Sequence, residues 1–502
     1  MLPRHHPSAT KQNEVEVRNI STRGAADFVA SSVIAAAITV ASITPIGKFT
    51  APVSYELVEH PWCRASLPTD MIAKKNPPAK NVVNGEGRSL LRRSFAVLGP
   101  GLITGAADDD PSGISTYSVA GAAYGYATLW IALLTFPLMA AIQLMCARLG
   151  MVTGRGLAAA VRIYYPRWVL WGACSILVVA NVINICADLG GMAEATQLIT
   201  GIRSLIWIPF YALFIIGLLL WTSYKLIAKI FKWLTLVLFA YVLASFYAHV
   251  DWRHALAVTF VPHLEWSRGF LAVLVAILGT TISPYLFFWQ AAQEVEEERA
   301  NGRTLAQSKG ATTGELRTAR ADTIAGMLFS NFIMYFIILT TAATLNAHGQ
   351  TNIATARQAA EALRPLAGDG AYLLFTLGLI GTGILGVLVL VGSCAYAVAE
   401  GAAWRGSMAD KPRSARKFYA VMAVAMALGF ALNCVGFNAV KMLFWSAVIN
   451  GLLAPPLILL VILLTSSQRV MGKRMNSPLL RYLGWATFVV MTAAAVGMLI
   501  AS

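Results

Sequence analysis

From about residue 95 onward the chain alternates long apolar runs with short polar loops. Eleven runs lie near 96–124, 127–147, 168–198, 205–224, 229–249, 267–292, 322–345, 371–399, 418–436, 440–466 and 482–501. About 20 apolar residues carry a helix across the hydrocarbon core of a bilayer, so the pattern predicts eleven membrane-spanning helices. The first, third, sixth and eighth runs are longer than a simple span needs, which predicts tilt or a break.

Two of these runs are interrupted by polar residues. The first is cut at Asp110-Pro111-Ser112-Gly113, inside "GAADDDPSGIS". Proline removes a backbone donor and blocks the helical bond behind it, and glycine adds conformational freedom. Five spans later the sixth run, "FLAVLVAILGTTISPYLFFWQAAQ", holds Gly279, Thr280, Thr281, Ser283 and Pro284 at its middle. In hydrocarbon, a broken helix is tolerated only where its loose backbone packs on protein or lines a cavity. Interrupted spans at corresponding places in two halves point to an inverted-repeat transporter with its substrate at mid-membrane. Carbonyl oxygens freed by the two breaks favour a cation there.

The first break also carries Asp108, Asp109 and Asp110 with no other charge nearby. An unpaired carboxylate at the bilayer centre costs at least ~2.5 kcal/mol. A divalent cation compensates this; protonation of Asp108 and Asp109, or their exposure to a watery vestibule, is the alternative. Asp110 before Pro111 is also a favourable cap for a new helix, a role compatible with binding an ion. Ser112, Thr281, Gln290 and Asn450 are candidate lining residues, although such side chains more commonly make interhelical hydrogen bonds.

Composition agrees with the spans. Of 502 residues, 57% are hydrophobic and 13% charged, with a mean hydropathy of +0.64. Soluble domains carry roughly a quarter charged residues, so the chain is an all-α polytopic membrane protein. Its net charge of +15 does not signal nucleic acid, because the cations concentrate in alternate loops. Arg148, Arg155, Arg162 and Arg167 follow the second run. Lys225, Lys229 and Lys232 follow the fourth, Arg405, Lys411, Arg413, Arg416 and Lys417 the eighth, and Arg469, Lys473, Arg474 and Arg481 the tenth. The positive-inside rule places these loops, and the segment before the first span, in the cytoplasm. That orients the protein in a cell's plasma (inner) membrane. The mixed-charge 293–321 loop is cytoplasmic by parity. The six cysteines show no CxxC spacing and read as small buried hydrophobes. No histidine lies mid-span.

Residues 1–94 read as a poorly ordered extension of a transporter domain at 95–501. Within the extension, 28–47 is uncharged and long enough to span, but rich in Ala, Ser and Thr; 71–87 reads as a linker.

The segment "GPGLITGAADDDPSGISTYSVAGAAYGY" resembles the first helix of the Nramp family of divalent-metal transporters, whose motif is Asp-Pro-Gly-Asn. "GTTISPYLFF" resembles the place of that family's Met-Pro-His stretch, and 147–162 and 450–474 are similar to further family segments. The resemblance covers about 95–501. It implies the LeuT-type fold, two inverted five-helix repeats plus an eleventh helix, and alternating access. It implies that Asp110 and the carbonyls of Ala107 and Thr280 bind metal; Asp109, for which the family pattern has no match, is a further candidate from its place in the acidic triplet. Gly113 stands where the family has asparagine, and Ser283 where it has methionine. A thioether favours Mn, Fe, Co or Cd over Mg and Ca. Its loss, and the volume removed at both positions, suit Mg²⁺, which keeps its waters, so the chain looks closer to the Nramp-related magnesium branch. For proton coupling, Asp188 matches the family's first acid on the third helix, Gly191 stands at the second, and Tyr285 stands at the histidine. Tyrosine titrates near ~10, so proton coupling is expected to be weak or absent. Asp188 and Glu194 either add charge to the pocket or vestibule or pair within the helix packing.

The expected function is therefore transport of a divalent cation, Mg²⁺ and/or Mn²⁺, with the lipid bilayer as the other partner and no resident cofactor. A monomer is compatible with the sequence. A proton-coupled Mn²⁺/Fe²⁺ carrier and a sodium-coupled small-solute symporter remain as alternatives. An enzyme of the intramembrane aspartyl protease kind, using Asp110 and Asp188, lacks its Gly-x-Gly-Asp context and has too many spans.

Overall fold

Both interrupted runs are broken helices. The computed structural model describes residues 99–222, 226, 236–300, 310–436 and 438–501; the extension at 1–94, with its candidate helix at 28–47, lies outside them. The first run becomes α1 (Pro100–Asp108) and α2 (Pro111–Tyr124). The break falls at Asp109–Asp110, slightly earlier than the sequence predicts. Pro111, Ser112 and Gly113 are instead the first turn of α2, because proline's fixed φ and missing N–H suit a first helical position.

The next elements are α3 (Trp130–Thr153), the short α4 (Leu157–Tyr164), α5 (Arg167–Thr200) and α6 (Ser204–Trp221). The described part of the fifth run ends in α7 (Phe239–Tyr247), and α8 (Trp252–Phe260) lies in the loop after it. The sixth run is α9 (Arg268–Thr281) and α10 (Pro284–Ala300), broken at Ile282–Ser283. Then come α11 (Thr313–Thr344), the short α12 (Ala356–Glu361) and α13 (Ala371–Gly401). The last three spans are α14 (Arg416–Asn433), α15 (Ala439–Thr465) and α16 (Pro478–Ile500). Among the described residues there is no strand. Eight helical segments are long and apolar enough to cross a membrane. The broken first run, α7 and α14 fill the remaining three of the eleven expected positions. The long third and eighth runs, α5 and α13, are continuous.

The two broken helices are the centre of the packing. α1 lies against α10, α11 and α13, while α2 lies against α9, α11, α15 and α5. Each half of one broken helix thus meets the opposite half of the other. Small residues permit the approach: a Cβ on Gly105 of α1 would run into the backbone of Gly326 on α11, as expected where helix pairing relies on close van der Waals contact. The N-terminus of α1 is held from α11. The amides of Gly99 and Gly101 donate to the Asp322 carboxylate at 3.1 and 2.6 Å, filling orphan donors that every helix start leaves.

Candidate functional site

The site is built from two chain ends facing each other inside the bundle. At the first break Asp110 is the N-cap of α2, and its Oδ1 accepts from the Gly113 amide at 2.9 Å. The capping role is therefore realised and uses one oxygen. The other, Oδ2, accepts from the Tyr285 hydroxyl at 3.2 Å, and the same hydroxyl lies 3.1 Å from the carbonyl of Ala107. Tyr285, at the start of α10, thereby bridges the side chain and the backbone carbonyl that the sequence singles out.

At the second break Ser283 closes α9. Its hydroxyl lies 2.9 Å from the Gly279 carbonyl and 2.7 Å from that of Thr280, so its proton serves the helix end. Thr280 comes near the first break on its side-chain face: a Cβ on Gly113 would lie 3.2 Å from Thr280 Oγ1 and 3.2 Å from the Asp108 carbonyl. The Gly113 position is narrow, and its lack of a side chain brings α2 and α9 together.

Asp188, from the middle of α5, reaches the same place. The marker is Gly386 on α13, whose Cβ position lies 2.9 Å from Asp110 Cβ, 3.7 Å from Asp188 Oδ2 and 3.9 Å from the Ala107 carbonyl. Neither Asp188 oxygen has a hydrogen-bond partner of good geometry among the described residues, with the Ser112 amide a donor beside it. One turn before it, Asn184 is buried with both amide atoms unpartnered.

Other expected residues are placed elsewhere. Asp109 and Asp108 turn to α11, where Ser330 Oγ lies 3.2 Å from Asp109 Oδ1 and 2.6 Å from Asp108 Oδ2. The remaining oxygens, Asp108 Oδ1 and Asp109 Oδ2, are buried without a partner. Glu194 is half-buried and accepts from the Ala356 amide at 3.0 Å, holding the start of α12. Thr281 bonds back to the Ile277 carbonyl at 2.8 Å within its own helix. Gln290 accepts from Thr104 at 2.5 Å and donates to Glu294 at 2.9 Å along the α1–α10 seam. Ser112 pairs with Ser446 at 3.4 Å, and the Asn450 oxygen is buried and unpartnered.

Sequence reading missed Gly386, Ser330 and Asn184. Asn181, Asn184 and Asp188 form a readable polar stripe on one helix face at i, i+3 and i+7. Nothing in the α11 or α13 sequence marks Ser330 or Gly386.

The electrostatics are one-sided. Asp108, Asp109 and Asp188 are wholly buried and Asp110 is 2% exposed. None of them forms an ion pair with a described residue; an ion pair that does form, Arg364–Asp369, lies at the surface. Uncompensated charge of one sign in a low-dielectric interior calls for counter-charge from outside the chain. No cluster of three or more His, Cys, Asp or Glu side chains in metal-holding geometry occurs among the described residues. An ion at the breaks would therefore take much of its coordination from carbonyls and hydroxyls.

Comparison with known proteins gives a consistent answer. The family model described as natural resistance-associated macrophage protein-like, Nramp, matches residues 101–501. A manganese transporter of Eremococcus coleocola, solved with an aromatic bis-isothiourea compound, superposes with a TM-score of 0.66 at 19% identity, covering 83% of this chain and 88% of that one. A nucleobase-cation-symport-1 family transporter, Mhp1, superposes at 0.52 with 15% identity, covering 80% and 92%. At these identities the superpositions establish the fold alone: a LeuT-type, multi-pass membrane protein.

Proposed function

Because the chain belongs to the Nramp family, we propose that it carries a divalent metal cation across the membrane by alternating access, with Mg²⁺ and/or Mn²⁺ as cargo and weak or no proton coupling. Residues 95–501 carry this activity, and the end bearing the basic loops faces the cytoplasm. The observation that carries the reading is the set of four buried carboxylates at the first break with no cationic side chain to balance them.

Asp110 Oδ2 and the carbonyls of Ala107 and Thr280 are the ligands. Oδ1 stays with the Gly113 amide and fixes the carboxylate's direction. Tyr285 already donates toward two of these ligands, so an ion either displaces that hydroxyl or meets it through a retained water. The donor set at the two breaks is all oxygen, which suits a hard cation that keeps part of its hydration. Asp188 adds long-range charge. The neutral Tyr285, at the family's histidine position, leaves no group in that place to take up a proton near neutral pH.

Movement follows from the breaks. Opening the end that holds the α1 N-terminus means parting α1 from α10 and α11, which breaks the Thr104–Gln290 bond and the Asp322 cap. The interruption at Asp109–Asp110 lets α1 move while α2 stays.

A Mn²⁺-selective reading rests on one observation. The thioether of Met192, one turn after Asp188, sits where a Cβ on Gly383 would meet it at 2.6 Å, and Pro111 touches the same point at 3.0 Å. A soft donor thus lies on α5 near the break although Ser283 supplies none.

Uptake into proteoliposomes tests both. The proposal expects Mg²⁺ and Mn²⁺ to enter and Asp110→Ala to stop both. Normal uptake by that variant overturns the site, and acidification in proportion to metal uptake overturns the coupling claim. If Met192→Leu removes Mn²⁺ transport and spares Mg²⁺, the second reading gains.

A further inference from the structure

An apolar trough of about 370 Å³ opens on the outer surface between α5, α13 and α14. Val178, Val398, Val421, Ala425 and Leu428 line it, and Val424 and Leu428 leave it open along the bundle's flank, at 57% and 49% exposure. It runs beside α14 from Lys417 to Leu428. Eleven residues of helix rise about 16 Å, close to the depth of one leaflet's hydrocarbon, which is half of about 30 Å.

The two ends of the trough differ. At the Lys417 end, the ammonium sits 5.0 Å above the ring of Trp404, which also lines the trough. Arg405, Lys411, Arg413 and Arg416 are exposed around it. None of these five cations forms an ion pair among the described residues, and between Ala402 and Lys417 the one acidic residue is Asp410. Moreover, Arg416 and Lys417 occupy the first turn of α14, whose N-cap is Ala415 with no capping side chain, and that turn holds no acidic residue. Cations at the positive end of a helix dipole, beside uncapped amides, are unfavourable on their own. A negative group resolves both conditions.

We propose that the trough is a binding site for an anionic phospholipid. One acyl chain lies along Val421 to Leu428, and the phosphate headgroup sits at Arg416 and Lys417 with Trp404 at the interface. The ligand is a membrane lipid of the leaflet on the basic-loop side. A free anion would use the rim and leave the trough unexplained. Polybasic rims beside membrane helices commonly bind acidic headgroups, and tryptophan favours the headgroup level.

The test uses the full chain, purified and delipidated, offered phosphatidylglycerol or phosphatidylcholine with identical acyl chains. Native mass spectrometry counts the lipid retained. The wild type is expected to prefer phosphatidylglycerol about thirtyfold, from two cations at the headgroup. The double variant Arg416→Gln/Lys417→Gln is expected to approach parity. Ala420→Trp, which fills the trough from an exposed position, is expected to lower retention of both lipids while eluting as a monodisperse protein. Equal retention of the two lipids by the wild type overturns the proposal, and so does an unchanged preference in the double variant. Full retention by Ala420→Trp overturns the trough as the chain's path. Displacement of phosphatidylglycerol by inorganic phosphate at equal concentration makes the rim a free-anion site and also overturns it.

Discussion

At the first break a carboxylate closes the helix that is starting; at the second a hydroxyl closes the helix that is ending. Asp110 caps α2 through the Gly113 amide, and Ser283 serves the last carbonyls of α9. At the first break the Ala107 carbonyl meets Tyr285 of α10, whereas at the second the Gly279 and Thr280 carbonyls meet Ser283 of their own segment. The first brings formal charge, with Asp108 and Asp109 beside Asp110, while the second brings dipoles alone. The difference separates two tasks. In the proposed function the charged break determines whether a cation binds, and the neutral break tunes which cation it is. A hydroxyl already engaged with two carbonyls is a weak competitor for a metal's waters. Methionine at that position would add a soft donor.

The largest expected effect lies on the charged side. Asp110→Ala removes the proposed ligand and the α2 cap together. Leaving one partner of a buried charge pair uncompensated costs about 3–5 kcal/mol, so uptake at fixed metal should fall by two to three orders of magnitude. Residual uptake within a few fold of wild type would place the charge requirement elsewhere, with Asp188 the next candidate.

Gly386→Ala is next. Its Cβ would press on Asp110 Cβ from 2.9 Å, and overpacking of this kind costs about 1–3 kcal/mol. Uptake should drop roughly tenfold to a hundredfold while the protein still elutes as a folded species. Unchanged uptake would mean that α13 does not hold the first break in position.

On the neutral side, Ser283→Met should raise the Mn²⁺ over Mg²⁺ preference about tenfold in competition uptake. An unchanged ratio would break the division of labour between the two breaks. Tyr285→Phe should have the smallest effect. It removes the donor that engages Asp110 Oδ2 and the Ala107 carbonyl, so the apparent KM for both metals should fall, by up to about tenfold for one long, shared hydrogen bond worth about 0.5–1.5 kcal/mol. A rise in KM would show instead that the hydroxyl holds a water of the bound ion.

The sequence made the frame legible because hydrocarbon imposes simple rules. Long apolar runs mark spans, and Pro with Gly inside a span marks a break. It also contained signals for the short helices between spans. Asp251 caps α8, and Thr355 forms a capping box with Gln358 at the start of α12. Neither segment is long or apolar enough to register as a span. The partners of Asp108 and Asp109 were illegible. Ser330 is one small polar residue in a helix that shares no motif with the first span, and only folding brings it within reach across 221 residues of chain.

Glu194 shows the same limit from the other side. As an acid near Asp188 in sequence it looks available to the ion path, yet it holds the amide of Ala356 in a distant loop. Side-chain type and helical spacing identify which residues face inward. They do not identify what waits there.

By itself, then, the sequence determined the membrane class, the span pattern and the two breaks, with Asp110 at the first, since these follow from local chain chemistry in a medium without water. Tertiary structure alone decided which neighbours each of the four carboxylates meets. Asp110, through its Cβ, and Asp188 Oδ2 meet at Gly386, and Asp110 Oδ2 accepts from Tyr285, while Asp108 and Asp109 are drawn to Ser330. The reason is physical: a buried charge is assigned by the groups that packing places beside it, and those arrive from helices far away in the chain.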